Sequence, residues 1–167
     1  MLRFAITGPE SSGKSTLSEL IASKFNAQLI PEFARAYLLE KNGKYDRFDL
    51  DKIALGQIES WNKKQDVAIQ VCDTEMLVMK VWSNYKYGTV SDFIQNAFQT
   101  QQFDHYFLCR PDIPWEDDSL REHPEEREKL FEIYLSELKS ANLPFTIVEG
   151  ELIQRIEKCQ KIISNFF

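Results

Sequence analysis

Gly8-Pro9-Glu10-Ser11-Ser12-Gly13-Lys14-Ser15 follows the pattern G-x-x-x-x-G-K-S/T. A turn with this spacing, set between a strand and a helix, surrounds phosphate oxygens with backbone amides and the helix N-terminus. Gly8 and Gly13 allow backbone geometry that a side chain would block. Lys14 is then expected to reach the β- and γ-phosphates. Ser15 is expected to set its hydroxyl on Mg²⁺, with Thr16 beside it. The surroundings agree, because the apolar run LRFAIT precedes the loop and an amphipathic pattern follows it. A second Mg²⁺-linked carboxylate is expected at the end of another central strand, and Asp73 after VAIQVC fits; the alternative is an ordinary acidic residue at a strand end.

These features alone leave a kinase, an ATPase switch and a GTPase open. The chain has no guanine-reading NKxD motif, and 167 residues leave no room for the extra helical domain of an assembly-type ATPase. A small-molecule kinase needs three further parts: an acceptor site, a base near the acceptor hydroxyl and a cationic lid. Pro31-Glu32-Phe33-Ala34-Arg35 ends the second strand run, where a parallel sheet presents residues to ligands. Glu32 could accept the acceptor's hydroxyl proton, and Arg35 could hold a substrate oxygen or orient Glu32; the alternative is a surface salt bridge at a helix start. Arg110 to Arg127 is the lid candidate. Arg121, then Arg127, are its best contacts for phosphate, because a guanidinium is planar and always charged. The alternative there is an exposed acidic loop with incidental arginines. Trp82, Tyr85 and Tyr87 within VWSNYKYG could wall a flat ring or simply pack a helix end into the core. Trp115 could anchor the lid or act as a stacking platform.

The elements that must position these groups are short. Apolar runs predict strands at Leu2–Thr7, Gln28–Ile30, Val67–Cys72, His105–Cys109 and Phe145–Val148. Helical spacing predicts Lys14–Phe25, with Leu17, Leu20, Ile21 and Phe25 on one face, then Phe33–Glu40 and Leu50–Gln65 with Asp49 as N-cap. Further helices are expected at Met76–Asn84, Val90–Thr100, a segment starting near Pro124, and Glu151–Asn165, the last burying Leu152, Ile156, Cys159 and Ile163. Strands alternating with helices predict an α/β P-loop NTPase fold: a five-stranded parallel sheet with helices on both faces. The expected organisation is a single domain over residues 1–167, with a lid at about 110–128.

Composition narrows the partners. The residues AVILMFWYC make up 43% and charged residues 28%, a globular composition that excludes disorder of the whole chain. The net charge is −6, and residues 112–128 hold all of that excess, with eight acids against two arginines. No Lys/Arg block is present, which argues against nucleic acid and against an anionic membrane surface. Cys72, Cys109 and Cys159 lack disulfide or zinc spacing and lie in apolar patterns, so they are expected to be buried thiols. The start MLRFAITG does not read as a signal peptide, and no 18-residue apolar run occurs; the expected compartment is the cytoplasm.

GPESSGKSTL, PEFARAY, DKIALGQ, DTEMLVMKVWSNYKYG and RPDIPWEDDSLREHPEER occur in this order. The set resembles the ribosylnicotinamide kinase domain of NadR-type proteins, a branch of the P-loop kinases, over residues 2 to about 150. The resemblance implies ATP- and Mg²⁺-dependent phosphorylation of the 5′-hydroxyl of nicotinamide riboside, a nucleoside substrate, to nicotinamide mononucleotide. It assigns Gly8, Glu10, Ser11, Ser12, Gly13, Lys14, Ser15 and Thr16 to the ATP phosphates and Mg²⁺. It assigns Glu32 and Arg35 to the acceptor side, Asp73 to the metal or acceptor site and Arg121 to the lid. Trp82 and Tyr85 would lie near the nicotinamide ring, a cationic pyridinium that an indole face attracts by about 0.5–2 kcal/mol. The family's adenylyltransferase and helix-turn-helix domains have no counterpart in the sequence. Ser119 stands where the lid pattern has glycine, which would stiffen a hinge there. A kinase for another nucleoside, or an ATP-binding regulatory module without transfer, are the alternative readings.

Overall fold

Apolar runs buried from both sides become strands. In β1 (Leu2–Thr7), Phe4 and Ile6 face one core and Ala5 the other, all fully buried. β2 (Gln28–Ile30), β3 (Ile69–Asp73), β4 (His105–Cys109) and β5 (Phe145–Val148) complete one sheet. All four pairings are parallel, in the order β2-β3-β1-β4-β5. This is the expected α/β fold. The computed structural model describes residues 1–63 and 66–167, so the end of the predicted Leu50–Gln65 helix lies outside the described residues.

Helices cover both faces. From α1 (Lys14–Lys24) and α7 (Leu152–Ser164), Leu17, Ile21, Cys159 and Ile163 pack with Phe4 and Ile6. The other face carries α2 (Phe33–Glu40), α3 (Arg47–Asn62), α4 (Met76–Tyr87), α5 (Asp92–Thr100) and α6 (Arg127–Ser140), through Leu38, Leu50, Leu77, Ile94 and Phe131. The three cysteines are buried and free. Removal from water pushes the Cys109 thiol up to about 12. No helix among the described residues is long and apolar enough to cross a membrane.

Several element boundaries differ from the sequence expectation, each for a local reason. The third strand runs over Ile69–Asp73, and its last residue is Asp73 itself. The third helix starts at Arg47, because Asp46 is the N-cap and accepts from Phe48 N at 2.8 Å and Asp49 N at 3.1 Å. Asp49 is the returning half of this capping box, taking Asp46 N at 3.0 Å. The first turn carries no buried apolar residue, so a count starting from Leu50 misses it. The sixth helix begins at Arg127; Pro124 instead fills a turn closed by Glu126 N on His123 O at 3.3 Å. Leu20 is 40% exposed, since it sits about 100° of helix rotation from Ile21, at the edge of the buried arc. Leu152 is 42% exposed as well; the buried face of α7 is Arg155, Cys159 and Ile163.

The register places the chemistry. Ile6 pairs with Asp73 and Ile30 with Cys72, so the carboxyl ends of β1, β3 and β2 finish side by side. The turn after β1, Asp73 itself and the turn after β2 therefore open at one end of the sheet.

Candidate active site

Gly8 leaves β1 with φ 134°, and a Cβ there would lie 2.8 Å from the Cys109 carbonyl oxygen of neighbouring β4. Only glycine fits this crossing. The loop then curls over the N-terminus of α1, which begins without a side-chain cap and without an acid in its first turn. Inside the curl, Lys14 Nζ and Ser12 Oγ both donate to the Pro9 carbonyl at 2.8 Å. The N–H groups of Ser12, Gly13, Lys14 and Ser15 have no acceptor among the described residues. An uncapped helix end with free amides and a lysine over it is built to hold an anion.

Two carboxylates border this loop. Asp73 is 4% exposed, and its Oδ1 has no hydrogen-bond partner among the described residues. Burial pushes its pKa up, against the pull of the Ser15 hydroxyl and of Lys14. Glu32, the N-cap residue of α2, is also raised, mainly by desolvation and further by Asp73 and Glu10, while Lys14 and Arg35 oppose the shift. The mutual influences put Lys14, Asp73 and Glu32 in one electrostatic field. A hydroxyl and a hard, unpartnered carboxylate oxygen suit Mg²⁺, which keeps waters and binds substrate phosphates. Among the described residues no cluster of three or more His, Cys, Asp or Glu forms a self-sufficient metal site.

Supports that sequence reasoning missed hold these groups. Thr74 follows Asp73 with φ 73°, a strained value for a β-branched residue. The strain is held from both sides. Thr74 N donates to Ile6 O at 3.0 Å. The next residue, fully buried Glu75, accepts from Thr7 Oγ1 and Gln101 Nε2 at 2.8 Å and from Leu77 N at 2.5 Å. The only sequence signal was an acid two residues after Asp73, at a helix start. The Glu32 turn has its own seat: Phe33 N donates to Gln57 Oε1 at 2.8 Å, and the Phe33 ring rests on Gly56. In DKIALGQ the glycine and glutamine therefore carry the turn, although Gln57 reads by periodicity as a core-face position. A Cβ on Gly56 would come within 2.3 Å of the Phe33 ring. Gly56→Ala is expected to cost about 1–3 kcal/mol by overpacking, partly offset by about 0.5–1 kcal/mol of helix preference. A thermal melt alongside the acceptor KM checks this, since displacement of Glu32 should raise that KM.

The segment between β4 and α6 lies over the loop. Glu116 N donates to Ser11 Oγ at 3.0 Å, and Glu122 N and His123 N donate to the Glu10 carboxylate at 3.0 and 3.1 Å. Arg121 Nη1 reaches Ser11 Oγ at 3.3 Å and also the Glu116 carbonyl. Arg127 donates to the carbonyls of Ser11 and Ile113 at 2.9 Å. Both guanidinium groups lie near the Trp115 ring, 5.8 and 5.6 Å from its centroid, so Trp115 supports both arginines. Arg35 is half exposed and pairs with Asp118 of this segment at 2.6 Å. Ser119 is not among the residues with positive φ, so the backbone makes no demand for glycine there.

Trp82 and Tyr85 project from α4 into the same space. Trp82 Nε1 donates to Tyr45 Oη at 2.9 Å, and Tyr45 is also bonded to Glu122 Oε2 at 2.7 Å. The Tyr85 ring meets the His123 ring edge-on at 5.1 Å. A cavity of about 230 Å³ joins all these parts: residues Gly8 to Thr16, Glu32, Arg35, Trp82, Tyr85 and Arg121 line it. Tyr134 of α6, 4% exposed, is also in the lining. Asp73 sits behind that lining, and Arg127 contacts the loop from outside it.

Residues 3–155 match the protein family described as AAA domain. The trifunctional NAD biosynthesis/regulator protein NadR of Salmonella typhimurium is 29% identical over 170 residues, covering 96% of this chain and 42% of the relative. The Escherichia coli protein of the same name is 29% identical over 168 residues, covering 95% and 41%. The chain thus spans about two fifths of the length of these curated relatives. A crystal structure of NadR protein in complex with NAD and AMP-PNP superposes with a TM-score of 0.74 at 20% identity, over 90% of this chain and 44% of that one. Deoxyadenosine kinase from M. mycoides with bound dATP superposes with a TM-score of 0.67 at 18% identity, over 98% and 100%. The parallel five-stranded architecture is shared with both.

Proposed function

The chain belongs to this AAA-domain family, and from that footing we propose that it transfers the γ-phosphoryl group of ATP to the 5′-hydroxyl of nicotinamide riboside. The products are nicotinamide mononucleotide and ADP, a step of NAD salvage. The observation that carries the reading is one cavity that joins a phosphate loop, a carboxylate turn and a pair of aromatic rings. The NadR relatives are named for NAD biosynthesis, and a NadR protein has been solved with NR.

The residues divide the work. The free loop amides and Lys14 hold the β- and γ-phosphates and take up charge as it develops. Ser15 and Asp73 would hold Mg²⁺, which when bound would neutralise charge on the phosphates. Glu32 lines the cavity, whereas Asp73 sits behind it against Ser15; we assign Glu32 to the acceptor hydroxyl and Asp73 to the metal. The 5′-oxygen bonds to the γ-phosphorus as the bridging bond to ADP breaks, and the hydroxyl proton goes to Glu32. Arg121 closes the site from the lid, and a covered site keeps water from being the acceptor. Glu10, Glu32 and Glu122 line the cavity with Trp82 and Tyr85, which suits a cationic pyridinium better than a neutral base.

The test is ADP release with ATP and Mg²⁺ across a nucleoside panel that includes nicotinamide riboside and deoxyadenosine. Stimulation by nicotinamide riboside, well above the others, is the expected result. Stimulation by a different nucleoside would keep the kinase and overturn the cation argument. Release independent of every nucleoside would leave a nucleotide-binding regulatory module.

A further inference from the structure

Arg155 is 2% exposed, an unusual place for an arginine, and every edge of its guanidinium is used. Nη1 donates to the Ser12 carbonyl at 2.8 Å, Nε to Gly150 O at 2.8 Å, and Nη2 to Arg110 O at 3.0 Å and to the Asp112 carboxylate. Arg127 comes from the lid side and donates to the Ser11 and Ile113 carbonyls at 2.9 Å. Two arginines from two different helices thus take two consecutive carbonyls of the phosphate loop from its outer side.

A trans peptide is planar, so its C=O and the following N–H point in opposite directions. A guanidinium on the Ser11 carbonyl fixes the Ser12 N–H, and one on the Ser12 carbonyl fixes the Gly13 N–H. Those N–H groups have no acceptor among the described residues and belong to the anion cradle. We propose that Arg155 and Arg127 are positioning residues for phosphate binding, which clamp the Ser12 and Ser11 carbonyls and thereby aim the Gly13 and Ser12 amides at the nucleotide phosphates. The idea rests on the phosphate-loop reading above and adds the residues that set the loop's peptide planes. A cation on a carbonyl also polarises the peptide, which makes its N–H a stronger donor. The same two side chains hold Arg110, Asp112 and Ile113, so the root of the lid and the loop move as one piece. Lysine cannot replace this fork, because an ammonium group is a point charge without the planar spread of donors.

The test is MgADP affinity by titration calorimetry on the full chain, for the wild type and for Arg127→Gln, Arg155→Lys and Arg155→Met, with the nicotinamide riboside KM of each. The expected result is MgADP binding weakened about tenfold in Arg127→Gln and more in Arg155→Met, with Arg155→Lys between wild type and Arg155→Met. The nicotinamide riboside KM stays within twofold. Inhibition by tripolyphosphate should weaken in parallel with MgADP binding, because the clamps act on phosphate and not on the base. If Arg155→Met fails to fold, Arg127→Gln decides, since Arg127 is only half buried. Folded Arg127→Gln and Arg155→Lys that bind MgADP as the wild type does would overturn the proposal. Equal losses for MgADP and the riboside would also overturn it, by showing general loosening. A wild-type protein that binds no MgADP would overturn the phosphate-loop reading itself, whereas MgADP binding without riboside turnover would leave the clamp intact and overturn only the acceptor assignment.

Discussion

Lys14→Ala is expected to lower kcat by on the order of 10³-fold, the loss that follows removal of one preorganised charge stabiliser from a phosphoryl-transfer site. Its melting temperature should stay close to that of the wild type. The structure explains why the two effects separate. Among the described residues the Lys14 ammonium has one hydrogen-bond partner, the Pro9 carbonyl at 2.8 Å, and that carbonyl keeps the Ser12 hydroxyl when the lysine is gone. Losing the pull of Lys14 pushes the Asp73 and Glu32 carboxyls further up, but α1 keeps the Leu17 and Ile21 contacts that fasten it to the sheet. Steady-state ADP release and a thermal melt on the same preparation check both halves. Turnover near the wild-type level would remove the loop from the chemistry. A collapse of the melt would mean that the lysine's work is structural.

The loop, the parallel sheet and the places of its strands along the chain were legible because each rests on local signals: apolar runs, a glycine spacing and a helix pattern in register. Asp73 and Glu32 were legible as residues at strand ends, and the Ile6–Asp73 and Ile30–Cys72 pairings bring those ends together. Groups whose role arises only through contacts distant in sequence were not legible. Arg155 meets Ser12 across 143 residues, and nothing in LIQRIEKCQ separates it from the exposed charges beside it. Gln57 was placed on the correct face of its helix, but its bond to Phe33 N comes from a turn 24 residues away. Helix starts misled where the first helical residues are exposed, as Arg47 and Phe48 are after Asp46, because apolar burial periodicity begins only when side chains reach the core. The segment from Arg110 to Arg127 read as an arginine-bearing lid, with an exposed acidic loop as the alternative. Its acids serve partly as holders: Asp118 takes Arg35, while Glu122 takes Tyr45 and Lys86.

Glu32→Gln and Asp73→Asn are expected to lose activity while gaining stability, and the pH dependence of each should tell their roles apart. Both carboxyls have folded pKa values raised above their ordinary 4.5 and 3.8. For a group shifted in that direction, the stabilising contribution is fully present below the unfolded pKa and is lost as pH rises through the folded one. At neutral pH, where both groups are ionised in the unfolded chain, burying them therefore costs the fold stability that the amide variants do not lose. Their melting temperatures should exceed the wild type's at pH 7, and the gain should vanish as pH falls below about 4, where the wild-type carboxyls are protonated in the folded and unfolded chain alike. On the activity side, Glu32→Gln should reduce kcat by about 10²- to 10⁴-fold, the range for a lost general base. The acid limb of its pH profile should disappear, with no change in the Mg²⁺ concentration needed for half-maximal rate. Asp73→Asn should raise that Mg²⁺ requirement instead and regain part of its rate at high Mg²⁺, because the amide oxygen is a weaker ligand for a hard cation. An acid limb that survives in Glu32→Gln and disappears in Asp73→Asn would exchange the two assignments. Amide variants less stable than the wild type at pH 7 would show that the ionised carboxylates are held by favourable contacts and carry no burial penalty. The two residues would then be part of the fold's support, which the raised pKa values, the unpartnered Asp73 Oδ1 and the shared field of Lys14 argue against.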